Sequence, residues 1–182
     1  MLSVPRRLAL SILTLAGALA AAHCQRDADA PAATADSGCC EVTPNSALGA
    51  GVGRIVVSYP GGDGAGSTRL DVYAAGTSKA IESKYGDAAL ELAPGTYDVT
   101  VGGRRVASVG VQAAHDTRIR VGVLYVHATD GTRIDLVEPA DGAKLESGYG
   151  EKQYGLPVGL VAVEVAGQRD TALIEDGKVT EF

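Results

Sequence analysis

The chain has 182 residues with 16 Lys or Arg, 22 Asp or Glu and three His, which gives a net charge of −6. An acidic chain without a run of basic residues is a poor candidate for binding nucleic acid or anionic lipid. The absence of Trp, and a single Phe at the end of the chain, also argue against a broad aromatic platform for bases or sugars.

Residues 1–22 have the pattern of a secretory signal peptide. Arg6 and Arg7 precede an uncharged apolar run from Leu8 to Ala22, which ends in small residues. The run is too short to cross a bilayer, and no later stretch in the mature chain resembles a transmembrane span. Removing this segment leaves 14 basic and 22 acidic residues, a net charge of −8. We therefore predict an exported protein that is periplasmic, anchored to a membrane by lipid, or secreted.

Cys24 lies two residues beyond the end of the apolar run and is the candidate lipidation site. Its position resembles the lipobox of bacterial lipoproteins, although Ala21 and His23 depart from that pattern. Cleavage after Ala22 without lipidation is the alternative. Residues 23–51 begin with a stretch rich in Ala, Asp and Pro, and they are predicted to be a flexible tether. The resemblance implies membrane lipid as one partner, bound through Cys24.

Cys39 and Cys40 are adjacent near the end of this tether. Consecutive residues are closer together than disulfide geometry normally requires, so we do not expect the two to bond to each other. A disulfide-linked contact with Cys24 or with another chain through Cys39 or Cys40 stays open, as does the absence of any role. No cysteine spacing supports a zinc site.

The rest of the chain contains an internal duplication. With a shift of 64 positions, residues 68–105 align with 132–169 without a gap, and 13 of the 38 pairs are identical. Composition alone would give roughly two or three identities. The domain prediction is therefore a first β-unit at 52–121 and a second at 122–182.

Each copy is predicted to consist of strands. Apolar residues alternate with polar ones in 68–73 and 96–101, and strands are also predicted at 105–111 and 117–121. Gly102-Gly103 is typical of a tight hairpin turn. Frequent Gly and Pro, with no sustained helical stripe, predict an all-β fold made of two tandem copies of a small antiparallel β-sandwich.

The segment Leu92–Val101, with Pro94-Gly95 and then Tyr97, resembles the turn-and-strand signature of bacterial extracytoplasmic prealbumin-like modules. These include carboxypeptidase-regulatory-like and PEGA-type domains. The Pro-Gly pair predicts a type II turn with positive φ at Gly95. The Tyr97 hydroxyl is expected to bond to the backbone, as in a tyrosine corner. The second copy lacks this Tyr. The resemblance implies a sandwich fold and no particular ligand.

We find no motif for a nucleophile, a metal site or a cofactor. His115 beside Asp116 is predicted to be a solvated pair in a turn, and Arg69–Asp71 and Arg133–Asp135 to be exposed ion pairs. In the repeated Glu-Ser-x-Tyr-Gly pieces, Tyr85 and Tyr149 are expected to pack their rings on the core, with a paired ligand contact as the alternative.

The sequence therefore favours a non-enzymatic protein of the bacterial cell envelope, periplasmic or at the outer membrane, that binds a protein partner or serves as a structural module. The first alternative is a binder of a small ligand or glycan, which would need exposed Tyr residues or a pocket. The second is a hydrolase of unknown type, which would need an acidic or Ser/His pair assembled by the fold.

Overall fold

The computed structural model describes residues 38–61 and 65–182. Within these ranges the chain forms β-strands and turns, without a helix. No helix that could span a membrane is present in the described part. The strands are β1 Cys40–Pro44, β2 Gly53–Val57, β3 Arg69–Ala74, β4 Ala80–Tyr85, β5 Ala88–Leu92, β6 Gly95–Val101, β7 Arg104–Val111, β8 His115–Ile119, β9 Val121–Val126, β10 Arg133–Val137, β11 Lys144–Tyr149, β12 Lys152–Pro157, β13 Gly159–Val165, β14 Gln168–Ile174 and β15 Val179–Glu181.

These strands form four small sheets. Their strand orders are β1-β8-β2-β5, β4-β3-β6-β7, β12-β9-β15 and β11-β10-β13-β14. The all-β prediction is confirmed, and most neighbouring strands are antiparallel. The expectation of purely antiparallel pairing is wrong at two places, because β8 lies parallel to β2 and β15 lies parallel to β9. Four sheets of this size can be arranged as a four-bladed propeller-like ring or as two sandwiches, each made of two facing sheets.

The strand pairing repeats along the chain. The first copy pairs β2 with β5 and β8, β3 with β4 and β6, and β6 with β7. The second copy makes the equivalent pairs: β9 with β12 and β15, β10 with β11 and β13, and β13 with β14. Burial alternates along β2, whereas β9 is buried at five of its six residues.

The apolar residues collect into two clusters. The first cluster takes residues from β2, β3, β5, β6, β7 and β8, and it also takes Val121 and Val123 from the start of β9. The second takes residues from β9, β10, β12, β13 and β14, with Phe182 packed against it. Because β9 contributes to both clusters, it connects the cores of the two copies.

The contact between the copies is close-packed around glycines. A Cβ at Gly102 would lie 2.2 Å from the Gly155 carbonyl oxygen, and one at Gly103 would lie 2.1 Å from that of Leu145. Arg104 Nε donates to Glu138 Oε2 at 3.0 Å across the same contact. The Gly155 amide donates to Thr68 Oγ1 at 2.8 Å in a buried position. The backbones approach too closely here for any side chain.

The first strand corrects the tether prediction. β1 lies inside the range 23–51, and it pairs with β8 from Cys40 opposite Ile119 to Pro44 opposite His115. Residues 40–44 are thus part of a sheet. Backbone hydrogen bonds hold this strand in place, although most of its residues are exposed. The predicted signal peptide and Cys24 lie outside the described residues.

The turn predictions have mixed outcomes. The positive φ expected at Gly95 is wrong, because Gly95 begins β6 in extended backbone and pairs with Val111. The expected Tyr97 bond is confirmed, since the hydroxyl donates to the Ala93 carbonyl oxygen at 2.8 Å. Gly102 and Gly103 have positive φ angles of 53° and 77°, as a tight hairpin turn between β6 and β7 requires.

Candidate functional site

Four residues on one face of a strand pair recur at equivalent places in the two copies, and in the first copy three of them are exposed while Asp71 is buried. In the first, Tyr85 of β4 lies opposite Arg69 of β3, and Ser83 lies opposite Asp71. Arg69 Nε donates to Asp71 Oδ1 at 3.0 Å, and the Ser83 hydroxyl donates to the same oxygen. We call Arg69, Asp71, Ser83 and Tyr85 the first patch.

The second copy builds the same arrangement on β10 and β11. Tyr149 lies opposite Arg133, and Ser147 lies opposite Asp135. Arg133 Nε donates to Asp135 Oδ2 at 2.7 Å, and Lys144 Nζ lies 2.8 Å from Asp135 Oδ1. Arg133, Asp135, Ser147 and Tyr149 form the second patch. Both predicted Arg–Asp ion pairs are therefore present.

The two tyrosines project into solvent. Tyr85 is 62% exposed and Tyr149 is 64% exposed, so the expectation that their rings pack on the core is wrong. The bend after each Tyr does occur, because Gly86 and Gly150 have positive φ angles of 67° and 68°. The register explains the outcome: a Tyr opposite an outward Arg must share its face of the sheet.

Electrostatics hold the polar part of each patch in its charged form. The hydrogen bond to Asp71 raises the pKa of Arg69 above its usual range. Hydrogen bonds from Arg133 and Lys144 lower the pKa of Asp135 to about 2. Each Arg is tied to an Asp of its own strand, which positions the guanidinium beside the Tyr ring. The patches therefore present an ordered aromatic and cationic surface.

His115 and Asp116 bind different partners. His115 begins β8 and does not lie in a turn, and its Nδ1 lies 2.8 Å from the Ala113 carbonyl oxygen. Asp116 accepts instead from Arg54, at 2.9 Å and 2.8 Å, and that hydrogen bonding lowers its pKa. Asp116 is therefore bound to a cation and does not orient the imidazole.

A cavity that sequence reasoning missed lies at one end of the second copy. Its volume is about 660 Å³. Its lining combines apolar and charged residues, among them His127, Arg169, Asp170 and Phe182. His127 stacks on Tyr125 with ring centroids 4.2 Å apart, and its Nδ1 lies 3.6 Å from Glu151 Oε1. Only the pairing of distant strands assembles these residues, so no local motif signals the cavity.

The adjacent cysteines lie where β1 begins. Cys39 Sγ and Cys40 Sγ are 3.2 Å apart, and both side chains pack against the first core. Burial and the neighbouring Cys39 raise the pKa of Cys40 to about 12. Among the described residues, no group of three or more His, Cys, Asp or Glu is arranged to hold a metal ion.

Comparisons with known proteins return distant structural neighbours. No protein-family model matches the chain, and no match is found among curated proteins. A Bacillus anthracis TIE protein is 15% identical with a TM-score of 0.32, over 71% of this chain and 33% of its own. A leucine-rich repeat protein from Bacteroides thetaiotaomicron is 12% identical with a TM-score of 0.24, over 72% of this chain and 26% of its own. The chain thus spans about a third or less of these neighbours, and such scores carry no argument about fold or function.

Proposed function

We propose that the protein is a non-enzymatic, exported module of the bacterial cell envelope that uses its two patches to bind a protein partner. The observation that carries this proposal is the exposure of Tyr85 and Tyr149 at equivalent positions of the repeat. A large aromatic side chain left in solvent on a sheet gains free energy when a partner covers it. Tyr and Arg are also the residues that most often dominate protein interfaces.

Preorganisation supports the same role. The ion pairs Arg69–Asp71 and Arg133–Asp135 fix each guanidinium before any partner arrives. Ordering a long side chain on binding costs about 0.5–1.5 kcal/mol, and this cost falls when the side chain is already held. Two copies of one surface also allow bivalent binding, which raises the avidity without any new contact.

Site-specific photo-crosslinking tests this role. We would place a photoreactive phenylalanine analogue at Tyr85, at Tyr149, or at Leu173 as a control that is 53% exposed on β14. Both tyrosine positions should crosslink to the same envelope protein, and Tyr85→Ala with Tyr149→Ala should abolish its capture. Equal crosslinking from the control position, or capture unchanged in the double variant, would contradict the proposal.

We also propose that the four sheets form two tandem sandwiches of the prealbumin-like kind, with eight strands in the first, which includes β1, and seven in the second. In propellers, consecutive strands pair within one blade. Here the chain leaves one sheet for another after β2, β4, β5 and β7, which favours facing pairs. The two apolar clusters and the Tyr97–Ala93 bond support the same arrangement. An experimental structure with four sheets around one central axis would contradict it.

Export is proposed from residues 1–22, with lipid attached at Cys24. Mass spectrometry of the mature N-terminus from membrane fractions should find a lipid-modified Cys24. A mature chain that begins at His23 without lipid would contradict the proposed lipid anchor but would agree with export. An intact Met1 on a cytosolic protein would contradict both.

A small-ligand function is the second candidate, and the cavity at His127, Arg169 and Phe182 is the observation that favours it. A volume of about 660 Å³ falls within the range of ligand sites. A screen of small organic anions by thermal shift should raise the unfolding temperature of the parent and not that of Arg169→Ala. An equal rise of the unfolding temperature in the parent and in Arg169→Ala would mean that the anion binds outside this cavity.

A further inference from the structure

The two cysteines lie closer than their place in the sequence suggests. Side chains of consecutive residues in a regular strand point to opposite faces. The residues Gly38 and Cys39 form a turn before β1 begins at Cys40, and this turn brings the two Sγ atoms to 3.2 Å. A disulfide bond is about 2.05 Å long, so the sulfurs need to approach by only about 1.2 Å.

The surrounding contacts hold this turn in place. The Arg120 amide donates to the Cys39 carbonyl oxygen at 2.8 Å, and Cys40 pairs with Ile119 at the end of the β1–β8 ladder. Both cysteine side chains pack partly on the first core and remain partly accessible. The thiols are therefore held together and within reach of a small reagent.

We propose that Cys39 and Cys40 form a redox-reversible modification site, in which a low-molecular-weight disulfide closes a vicinal disulfide between them. This inference is independent of the partner-binding function. It departs from the expectation that adjacent cysteines would not bond to each other.

The reaction is a pair of thiol–disulfide exchanges. One cysteine thiolate attacks the reagent, breaks its S–S bond and forms a mixed disulfide, while the first reagent thiolate leaves. Cys40, whose thiol must first lose its proton to solvent, then attacks the Cys39 sulfur of that mixed disulfide as a thiolate, forms the Cys39–Cys40 bond and expels the second reagent thiolate. The protein loses two protons and two electrons, and the reagent takes them up as two thiols.

The closed form is expected to be easily reduced. Consecutive Cα atoms are about 3.8 Å apart, whereas those of ordinary disulfides are about 4.4–6.8 Å apart, so the small ring stores strain. Strained disulfides are the labile ones. The site should therefore cycle with the redox state of the small thiols around it.

Peptide mapping after incubation of the mature chain with oxidised glutathione tests the site. Trypsin cleaves after Arg26 and Arg54, so Cys39 and Cys40 share the peptide 27–54, whereas Cys24 falls in the preceding one. We expect peptide 27–54 to lose two hydrogens with no attached glutathione, and reduced glutathione to reverse the change. In Cys40→Ser, the mixed disulfide on Cys39 should persist.

Four results would overturn the proposal. Stable glutathione on peptide 27–54 of the parent would show that the second exchange does not occur. A crosslink to the peptide that contains Cys24 would show a long-range disulfide. A disulfide-linked dimer would show an interchain bond. Closure that reduced glutathione does not reverse would overturn the reversible role.

Discussion

The two copies of the repeat differ at one equivalent strand pair, between β6 and β7 in the first copy and between β13 and β14 in the second. In the first, the register shifts between Tyr97 and Val99, so that β7 carries one extra residue. Asp98 lies at this bulge and accepts from the Ser108 amide at 2.9 Å, from the Gly76 amide at 3.0 Å and from Arg105. The bulge places Ser108 at a φ of 59°.

In the second copy Ala162 replaces Asp98, and β13 pairs with β14 in continuous register from Gly159 to Val165. The arginine equivalent to Arg105 is Arg169, and its Nη1 lies 3.5 Å from Glu164 Oε1. Arg169 also lines the cavity. The first copy thus has a bulge with one extra residue and a carboxylate that binds it, whereas the second copy has neither and forms a regular hairpin whose arginine lines a cavity.

The largest expected effect compares the two hairpin tips. Gly103 of the first copy has its would-be Cβ 2.1 Å from the Leu145 carbonyl oxygen, whereas Gly167 of the second has open space. Gly103→Ala should lower the free energy of unfolding by roughly 3 kcal/mol or more, because a backbone atom cannot move aside cheaply. Gly167→Ala should cost only about 1–2 kcal/mol, the price of positive φ.

Urea unfolding of the two variants measures the difference. Equal losses of stability in the two variants would mean that the hairpin of the first copy does not pack closely against the second copy. The close packing between the copies would then be wrong.

A second prediction concerns acid. Arg105 and the two backbone amides lower the pKa of Asp98 to about 2, against about 3.9 in an unfolded chain. Because the folded pKa is lower, the stabilisation is fully present above about pH 4 and is lost as the pH falls towards 2. Asp98→Asn should therefore flatten the dependence of stability on pH in this window.

Asp135 is the matched comparison, since its pKa is also lowered to about 2, but by the side chains of Arg133 and Lys144. High salt screens exposed ion pairs. It should therefore weaken the effect of Asp135→Asn more than that of Asp98→Asn, as acid titrations followed by circular dichroism would show. An equal salt response would contradict the role of the backbone amides at Asp98.

The smallest expected effect is a gain. Ser108→Gly should stabilise the protein by up to about 1 kcal/mol, because Gly adopts positive φ without strain. Ala166→Gly, at a φ of 50° in the second hairpin, is the control without a bulge. Thermal unfolding should show a gain for both. A loss at Ser108 alone would mean that its side chain contributes to the bulge.

Local pattern predicted much of the fold. The repeat, the strands β3 and β6, and the Gly102-Gly103 turn could be predicted from the sequence pattern, and each is present in the structure. The alternation of exposed and buried residues is incomplete in β3 and β6, because Asp71 and Asp98 are buried. β1 was not predicted, because it is an edge strand with four of its five residues exposed and therefore lacks the alternation of apolar and polar residues that indicates a strand. The partners of β8 and β15 also depend on contacts between distant segments.

The candidate site shows the same limit. The repeated Ser and Tyr marked the patches in the sequence, but the direction of the Tyr rings depends on the register between β3 and β4 and between β10 and β11. Once Tyr85 lies opposite Arg69, the ring must face outwards. The Pro94-Gly95 pair gave a wrong turn prediction, because pairing of Gly95 with Val111 in the sheet overrides the local preference for a type II turn.

The β1–β8 ladder has a mechanical consequence. Cys40 at the start of β1 pairs with Ile119 at the end of β8, and only Arg120 separates β8 from β9. A pull between the segment before β1 and the second copy would therefore act at one end of an antiparallel ladder. Its hydrogen bonds would break one after another and not together. β1 would peel away at low force and release about 17 Å of chain at 3.4 Å per residue, while both cores stayed folded.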